Sequence, residues 1–169
     1  MNRCHILSLS VITALGLALL PGSVLAQQKT LKEQLVGTWT FVSSTAKLAD
    51  GSPAWGTNPK GLLIFTDNGG YSSHIMRSDR PKFKSNNRGQ GTPDENKAMA
   101  LGTISSFGTY TVNEANKTYT IRYEASSYPN QEGTEQVRSF TIAGDELRVT
   151  VPTPTLGGPP SEQIHRRAK

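Results

Sequence analysis

From residue 36 onward the chain is a succession of short segments rich in Thr, Tyr, Val, Phe and Ile. They alternate at period two and are cut apart by Gly, Asn, Asp and Pro. That rhythm predicts eight strands, at Val36 to Ser44, Leu62 to Thr66, Tyr71 to Met76, Gly108 to Val112, Thr118 to Ala125, Val137 to Ile142, Leu147 to Val151 and Ser161 to Arg167. Asp67-Asn68-Gly69-Gly70 reads as a hairpin turn, because Asn and Gly reach positive φ at low cost. Asn113-Glu114-Ala115-Asn116 and Ala143-Gly144-Asp145 read as further turns, and Gly157-Gly158-Pro159-Pro160 as a loop before the last strand. Strands joined by hairpin-like links run antiparallel, and closing the sheet on itself removes its exposed edges. The expected fold is all-β, an eight-stranded antiparallel barrel, whose interior is either filled by side chains or holds one small ligand. With 169 residues there is room for neither a TIM barrel nor a Rossmann pair.

One stretch breaks the rhythm. From Arg77 to Gly91 the chain is polar, basic and rich in Gly, Asn and Pro. Thr92-Pro93-Asp94-Glu95 then reads as a helix start: Thr92 caps, Pro93 suits the first helical position and Glu95 completes a capping box. Ala98, Met99, Ala100 and Leu101 continue it for two or three turns. A long loop and a short helix are therefore expected between strands three and four, over one mouth of the barrel.

Residues 1–26 read as a secretory signal peptide. Arg3 supplies a positive start, Ile6 to Leu20 an apolar run, and Val24-Leu25-Ala26 a cleavage site. The apolar run is shorter than the ~20 residues of a membrane span, so stable membrane insertion after cleavage is not expected. Cys4 precedes the run, which is the wrong side for a lipidated cysteine. Residues 27–169 form the expected barrel domain, and its location would be periplasmic or secreted. The single cysteine leaves with the signal, so the domain must rely on its core rather than a disulfide. Loss of Arg3 lowers the formal charge from +5 to +4, small for an electrostatic nucleic-acid binder. Residues 77–97 carry six Lys/Arg against three Asp/Glu, but an exported protein does not meet nucleic acid as its usual partner.

Several blocks resemble one known family. Leu35-Val36-Gly37-Thr38-Trp39 and Asn58-Pro59-Lys60-Gly61-Leu62-Leu63-Ile64-Phe65-Thr66 look like its opening. The similarity continues in Gly70-Tyr71-Ser72-Ser73-His74-Ile75-Met76-Arg77-Ser78-Asp79-Arg80-Pro81, in Phe107-Gly108-Thr109-Tyr110 and in Gly133-Thr134-Glu135-Gln136-Val137-Arg138. In that order they resemble the bacterial and fungal lipocalin-like domain family. The resemblance implies a lipocalin-like barrel with an interior cavity for a small, largely apolar molecule, and little more about activity, since fold does not fix function. The chain departs from the family pattern at Gln163-Ile164-His165-Arg166-Arg167, where an aromatic-containing closing strand would be expected. Gly37-x-Trp39 resembles the first-strand signature in which the Trp plugs the closed end and a late Arg stacks on it. Arg166 or Arg167 would supply that cation.

The candidate ligand-binding residues are Trp39, Phe41, Tyr71, Ile75, Tyr110 and Tyr123 as walls, with Arg77, Arg80 and Arg138 as polar contacts. Arg77 and Arg80, with Asp79 between them, leave strand three beside the inserted loop; two guanidiniums there can fork onto a carboxylate or phosphate. The alternative is that Asp79 pairs with one of them to pin the loop. Tyr119, Ile121 and Tyr123 oppose Arg122 and Glu124 in parity, so if the aromatics point inward the charges are solvated. Glu135 opposes Gln136, Arg138 and Phe140, so a regular strand turns only one of Glu135 and Arg138 inward.

Three function classes compete, the third of them an interaction module whose barrel is filled by side chains. The first is an exported protein binding a small hydrophobic or amphipathic molecule, with an anionic head as one form. The second is a cyclase or isomerase in the same cavity, for which His74, Tyr110 and Glu135 are the available acid–base groups. Two histidines and no cysteine after residue 26 give no metal-ligand set, and no Gly-rich phosphate loop or Gly-x-Ser-x-Gly elbow is present. No cofactor is expected, and the sequence is silent on oligomeric state.

Overall fold

The computed structural model describes residues 29–169. The expected export signal and its cleavage point after Ala26 lie outside the described residues. Helix α1 (Leu31–Leu35) leads into eight strands: β1 (Gly37–Ser44), β2 (Lys60–Phe65), β3 (Gly70–Met76), β4 (Thr103–Asn113), β5 (Thr118–Ser126), β6 (Glu135–Ala143), β7 (Glu146–Val151) and β8 (Ser161–Arg167). Helix α2 (Pro93–Leu101) interrupts them between β3 and β4. Each strand pairs antiparallel with the next, and β8 returns to β1, giving a closed barrel.

All eight expected strands are present. β4 begins at Thr103, well before the expected Gly108, because it continues directly from helix α2. Helix α1 was not expected from the sequence, being too short for a periodic pattern. Its Thr30 cap and Glu33 form a capping box, and the Glu114 carboxylate of the β4–β5 turn accepts from the Leu31 and Lys32 amides at 2.8 and 3.1 Å. At α2 the expected capping box forms between Thr92 and Glu95. Glu95 also accepts from the Lys84 amide at 2.9 Å, tying the inserted loop to the helix.

Parity assigns the interior. Trp39 and Phe41, Leu63 and Phe65, Tyr71, Ser73 and Ile75, Tyr119, Ile121 and Tyr123 all point inward and are buried. The aromatic set of β5 therefore faces the core, and Arg122 and Glu124 face solvent. A bulge at Phe107/Gly108 lets β4 bend around β5. A Cβ on Gly108 would lie 2.0 Å from the Arg122 carbonyl oxygen, so the strands can approach there only with glycine.

The interior is layered. At the closed end, under α1, sits a cluster of Leu35, Trp39, Leu63, Phe65, Tyr110, Tyr119, Phe140, Leu147 and Val149 with its neighbours. At the mouth Phe41, Ala54, Trp55 and Ile75 pack with Leu48, Ile104 and Leu156. Between the two lies a buried polar belt of Ser73, Ser106, Arg138, Ser161, Gln163 and His165. Single strands cross all three layers: Tyr71, Ser73 and Ile75 on β3, and Tyr110, Ser106 and Ile104 on β4.

A barrel cavity with a buried cation

The closed end is plugged by Trp39. Its indole N–H donates to the Leu35 carbonyl at 2.8 Å, and the Arg167 guanidinium lies 4.0 Å from the ring centroid. Arg167 also donates to the carbonyls of Gln34 (2.7 Å) and Val36 (3.2 Å). The last turn of α1 thus finds its hydrogen-bond partners in β1 and β8. Gly37 adopts φ +131°, and a Cβ there would stand 3.1 Å from the guanidinium. Of the two late arginines, Arg167 supplies the cation; Arg166 is exposed on the opposite face.

A family model for the lipocalin-like domain matches residues 36–165, more than three-quarters of the chain. The chain belongs to the lipocalin-like domain family. Among curated proteins, none matches it significantly.

Inside the lipocalin-like barrel a cavity of about 40 Å³ lies at the polar belt. That is room for on the order of three water molecules. Its lining includes Tyr71, Ser73, Ile75, Ser106, Tyr123, Arg138, Ser161 and Gln163 from the strands, capped by Trp55 and Leu156 from the loops. Arg138 dominates its chemistry. The residue is only 8% exposed. Nε donates to the Gln136 side-chain oxygen at 2.7 Å and Nη2 to the Tyr123 hydroxyl at 3.0 Å. Nη1 makes no hydrogen bond to the described residues, and none of their carboxylates lies within ion-pair reach of the guanidinium.

The neighbours stay neutral. Burial pushes the Tyr119 and Tyr123 hydroxyls up in pKa, with Arg138 opposing. Burial, and then the Arg138 charge, pushes His165 down to about 3. His165 lies edge-on to Phe41, its ring centroid 5.3 Å away, and its Nδ1 has no partner, like the Tyr119 hydroxyl. An arginine does not give up its proton in proteins. The belt therefore holds one net positive charge, deep in the barrel, without a counter-ion from the described residues.

Of the sequence-derived candidates, Tyr71, Tyr123, Ile75 and Arg138 meet at this cavity. Trp39 belongs to the closed end. Tyr110 lies there too: its hydroxyl donates to the Thr66 carbonyl at 2.8 Å and its ring meets Phe65 edge-on. Phe41 sits in the mouth cluster. Arg77 and Arg80 are not brought to the cavity. Arg77 forks onto Asp79 at 2.9 and 2.6 Å, and Arg80 donates to the Arg77 carbonyl and the Thr103 hydroxyl, both at 2.8 Å. Both guanidiniums pin the loop that leaves β3.

The acid–base candidates fall in three separate places. His74 faces outward on β3, held between the hydroxyls of Ser72 (2.8 Å) and Ser105 (2.6 Å). Glu135 is exposed at the start of β6, and Tyr110 is in the closed end. No group of three or more His, Cys, Asp and Glu that could hold a metal occurs among the described residues. No helix among them is long and apolar enough to cross a membrane.

Sequence reasoning missed Ser73, Ser106, Ser161, Gln163 and His165. For β8 a signal existed: Ser161, Gln163 and His165 share parity with Arg167, so placing Arg167 over Trp39 turns all of them inward.

Proposed function

We propose that this protein is an exported binder of a small amphipathic anion, working in the periplasm or outside the cell, with Arg138 holding the acidic head. The observation that carries this reading is the unpaired guanidinium at the cavity. Burying a charge without a partner costs several kcal/mol, so it is a poor device for stability. It becomes favourable when the ligand brings the opposite charge. A carboxylate at the cavity would accept from Arg138 Nη1, with the Ser73, Ser106 and Ser161 hydroxyls close by in the same lining. The low-dielectric surroundings strengthen each of these bonds. Tyr71, Ile75, Trp55 and Leu156 supply apolar contact.

Calorimetric titration of dodecanoate and of dodecanol against wild type and Arg138→Met tests the reading. Wild type should prefer the acid, and the substitution should cost the acid roughly 10- to 150-fold, the usual worth of a hydrogen bond to a charged group. The alcohol should be little affected. Equal losses for both, or no binding of the acid by wild type, would overturn the assignment.

A further inference from the structure

The carboxylate reading of Arg138 leaves a geometric problem: a cavity of about 40 Å³ takes a carboxylate head but not an alkyl chain. The rest of the ligand must lie elsewhere. Resting on that reading, we propose that the ligand's chain leaves the barrel through a gap between β6 and β7 and lies in the recess outside it.

The gap is a feature of strand pairing. β6 and β7 pair only from Phe140↔Val149 to Ala143↔Glu146. The earlier half of β6, Glu135 to Ser139, is bonded to β5 on one side and has no ladder to β7 on the other. The chain after β7 reads Pro152-Thr153-Pro154, and a proline has no N–H to offer a neighbouring strand. The ladder stops at Val149, and the prolines three and five residues further on keep it from resuming along the rest of β6.

What closes the gap is a polar side chain. Gln136 accepts from Arg138 Nε at 2.7 Å with its oxygen and donates to the Thr153 carbonyl at 3.3 Å with its nitrogen. The same residue thus touches the buried cation and the far side of the opening. Outside it lies an open recess of about 810 Å³ lined by Tyr128, Val137, Pro152 and Pro154 among others. Tyr123, Gln131, Thr153, Pro154 and Thr155 line both the recess and the cavity, so the two share one wall. Val137, 54% exposed, gives the recess an apolar floor.

A second groove, of about 560 Å³ beside α2, also adjoins the cavity, sharing Trp55, Ile104, Thr155 and Leu156 with it. There the partition is the packed apolar cluster of the mouth, and opening it would expose Trp55 and Ile75 to water. Swinging Gln136 aside breaks its three hydrogen bonds, to Arg138, Tyr123 and Thr153, and the incoming carboxylate replaces the acceptor lost at Arg138, so no apolar cluster has to be opened. The β6–β7 route is the one that leads straight to Arg138.

Amide spectra of the wild-type protein with a fatty acid spin-labelled at its methyl end test the proposal. Broadening should centre on Tyr128, Val137 and Thr153, and leave Phe83, Met99 and Leu101 sharp. Broadening centred on Met99 and Leu101 would put the chain in the α2 groove and overturn the route. A second test joins the edges in the double variant Val137→Cys, Pro152→Cys, with formation of the bond checked by intact mass; no other cysteine after residue 26 competes for the pairing. Oxidation should slow dodecanoate association roughly tenfold or more, and reduction should restore it. Unchanged association with the disulfide formed would overturn the gap as the path. If dodecanoate binds without depending on Arg138, the carboxylate reading fails; dependence on Arg138 with the label elsewhere sinks the route alone.

Discussion

The Arg138 guanidinium donates to the Tyr123 hydroxyl at 3.0 Å, between two apolar clusters, with no carboxylate of the described residues paired to it. A lone buried cation is tolerated rather than stabilising. Arg138→Met, which keeps much of the stem's volume, should therefore raise the stability of the ligand-free protein by about 1–3 kcal/mol. Urea melts of the two proteins check this. A fall of similar size would show that the cation serves the fold itself.

His165 makes stability depend on pH in a defined window. Its folded-state pKa of about 3 lies below the ordinary histidine value near 6.5. Between those limits the unfolded chain binds a proton that the folded chain does not, so stability falls as pH falls. The slope approaches ~1.4 kcal/mol per pH unit for one proton. His165→Gln should flatten the decline between about pH 6 and 5, where carboxylates are still ionised. Parallel stability curves for the two proteins over that range would show that His165 takes up its proton without unfolding.

The stack of Arg167 on Trp39 also caps α1, so its loss should be felt at the closed end. Arg167→Ala removes a cation–π contact and two charge-assisted hydrogen bonds to carbonyls, and should cost about 2–3 kcal/mol. Hydrogen exchange should quicken at Leu31 to Val36 and leave the mouth unchanged. Arg167→Lys should recover only part of the loss, because an ammonium lacks the planar fork.

Arg80 holds the start of the inserted loop through the Arg77 carbonyl and the Thr103 hydroxyl. Arg80→Ala should lower stability by about 1–2 kcal/mol and shift dodecanoate and dodecanol affinities equally. A selective loss for the acid would bring back the anion clamp expected at Arg77 and Arg80.

Export with cleavage at the Val24-Leu25-Ala26 site would leave a protein that begins at Gln27. Its intact mass, measured from a secreting host, checks this. With no cysteine after residue 26, its melting temperature should not respond to reductant.

Strand identity was legible because period two and turn chemistry are local. Thr92-Pro93-Asp94-Glu95 announced a helix for the same reason, since a capping box spans four residues. Parity narrowed the site as well: Arg138 and Glu135 could not both face inward. Which of the two did was decided by the sheet, where Phe140 on Arg138's face joins the closed-end cluster and Val137 on the other is exposed. Arg77 and Arg80 show the opposite limit. Two arginines at a strand exit look alike as sequence whether they grip a ligand or their own loop, and only the placement of Asp79 and Thr103 separates the cases.

The sequence by itself determined eight strands, their order and the short helix between the third and fourth, because hydrogen-bonded turns and side-chain alternation act over a few residues. The tertiary structure alone decided that Ser73, Ser106, Arg138, Gln163 and His165 share one buried layer. They come from four strands of one closed sheet, β3, β4, β6 and β8, and barrel closure brings them together across the interior. The tertiary structure also decided that β6 and β7 part beyond Phe140 and Val149, since period-two alternation continues in both strands past that point and does not show it.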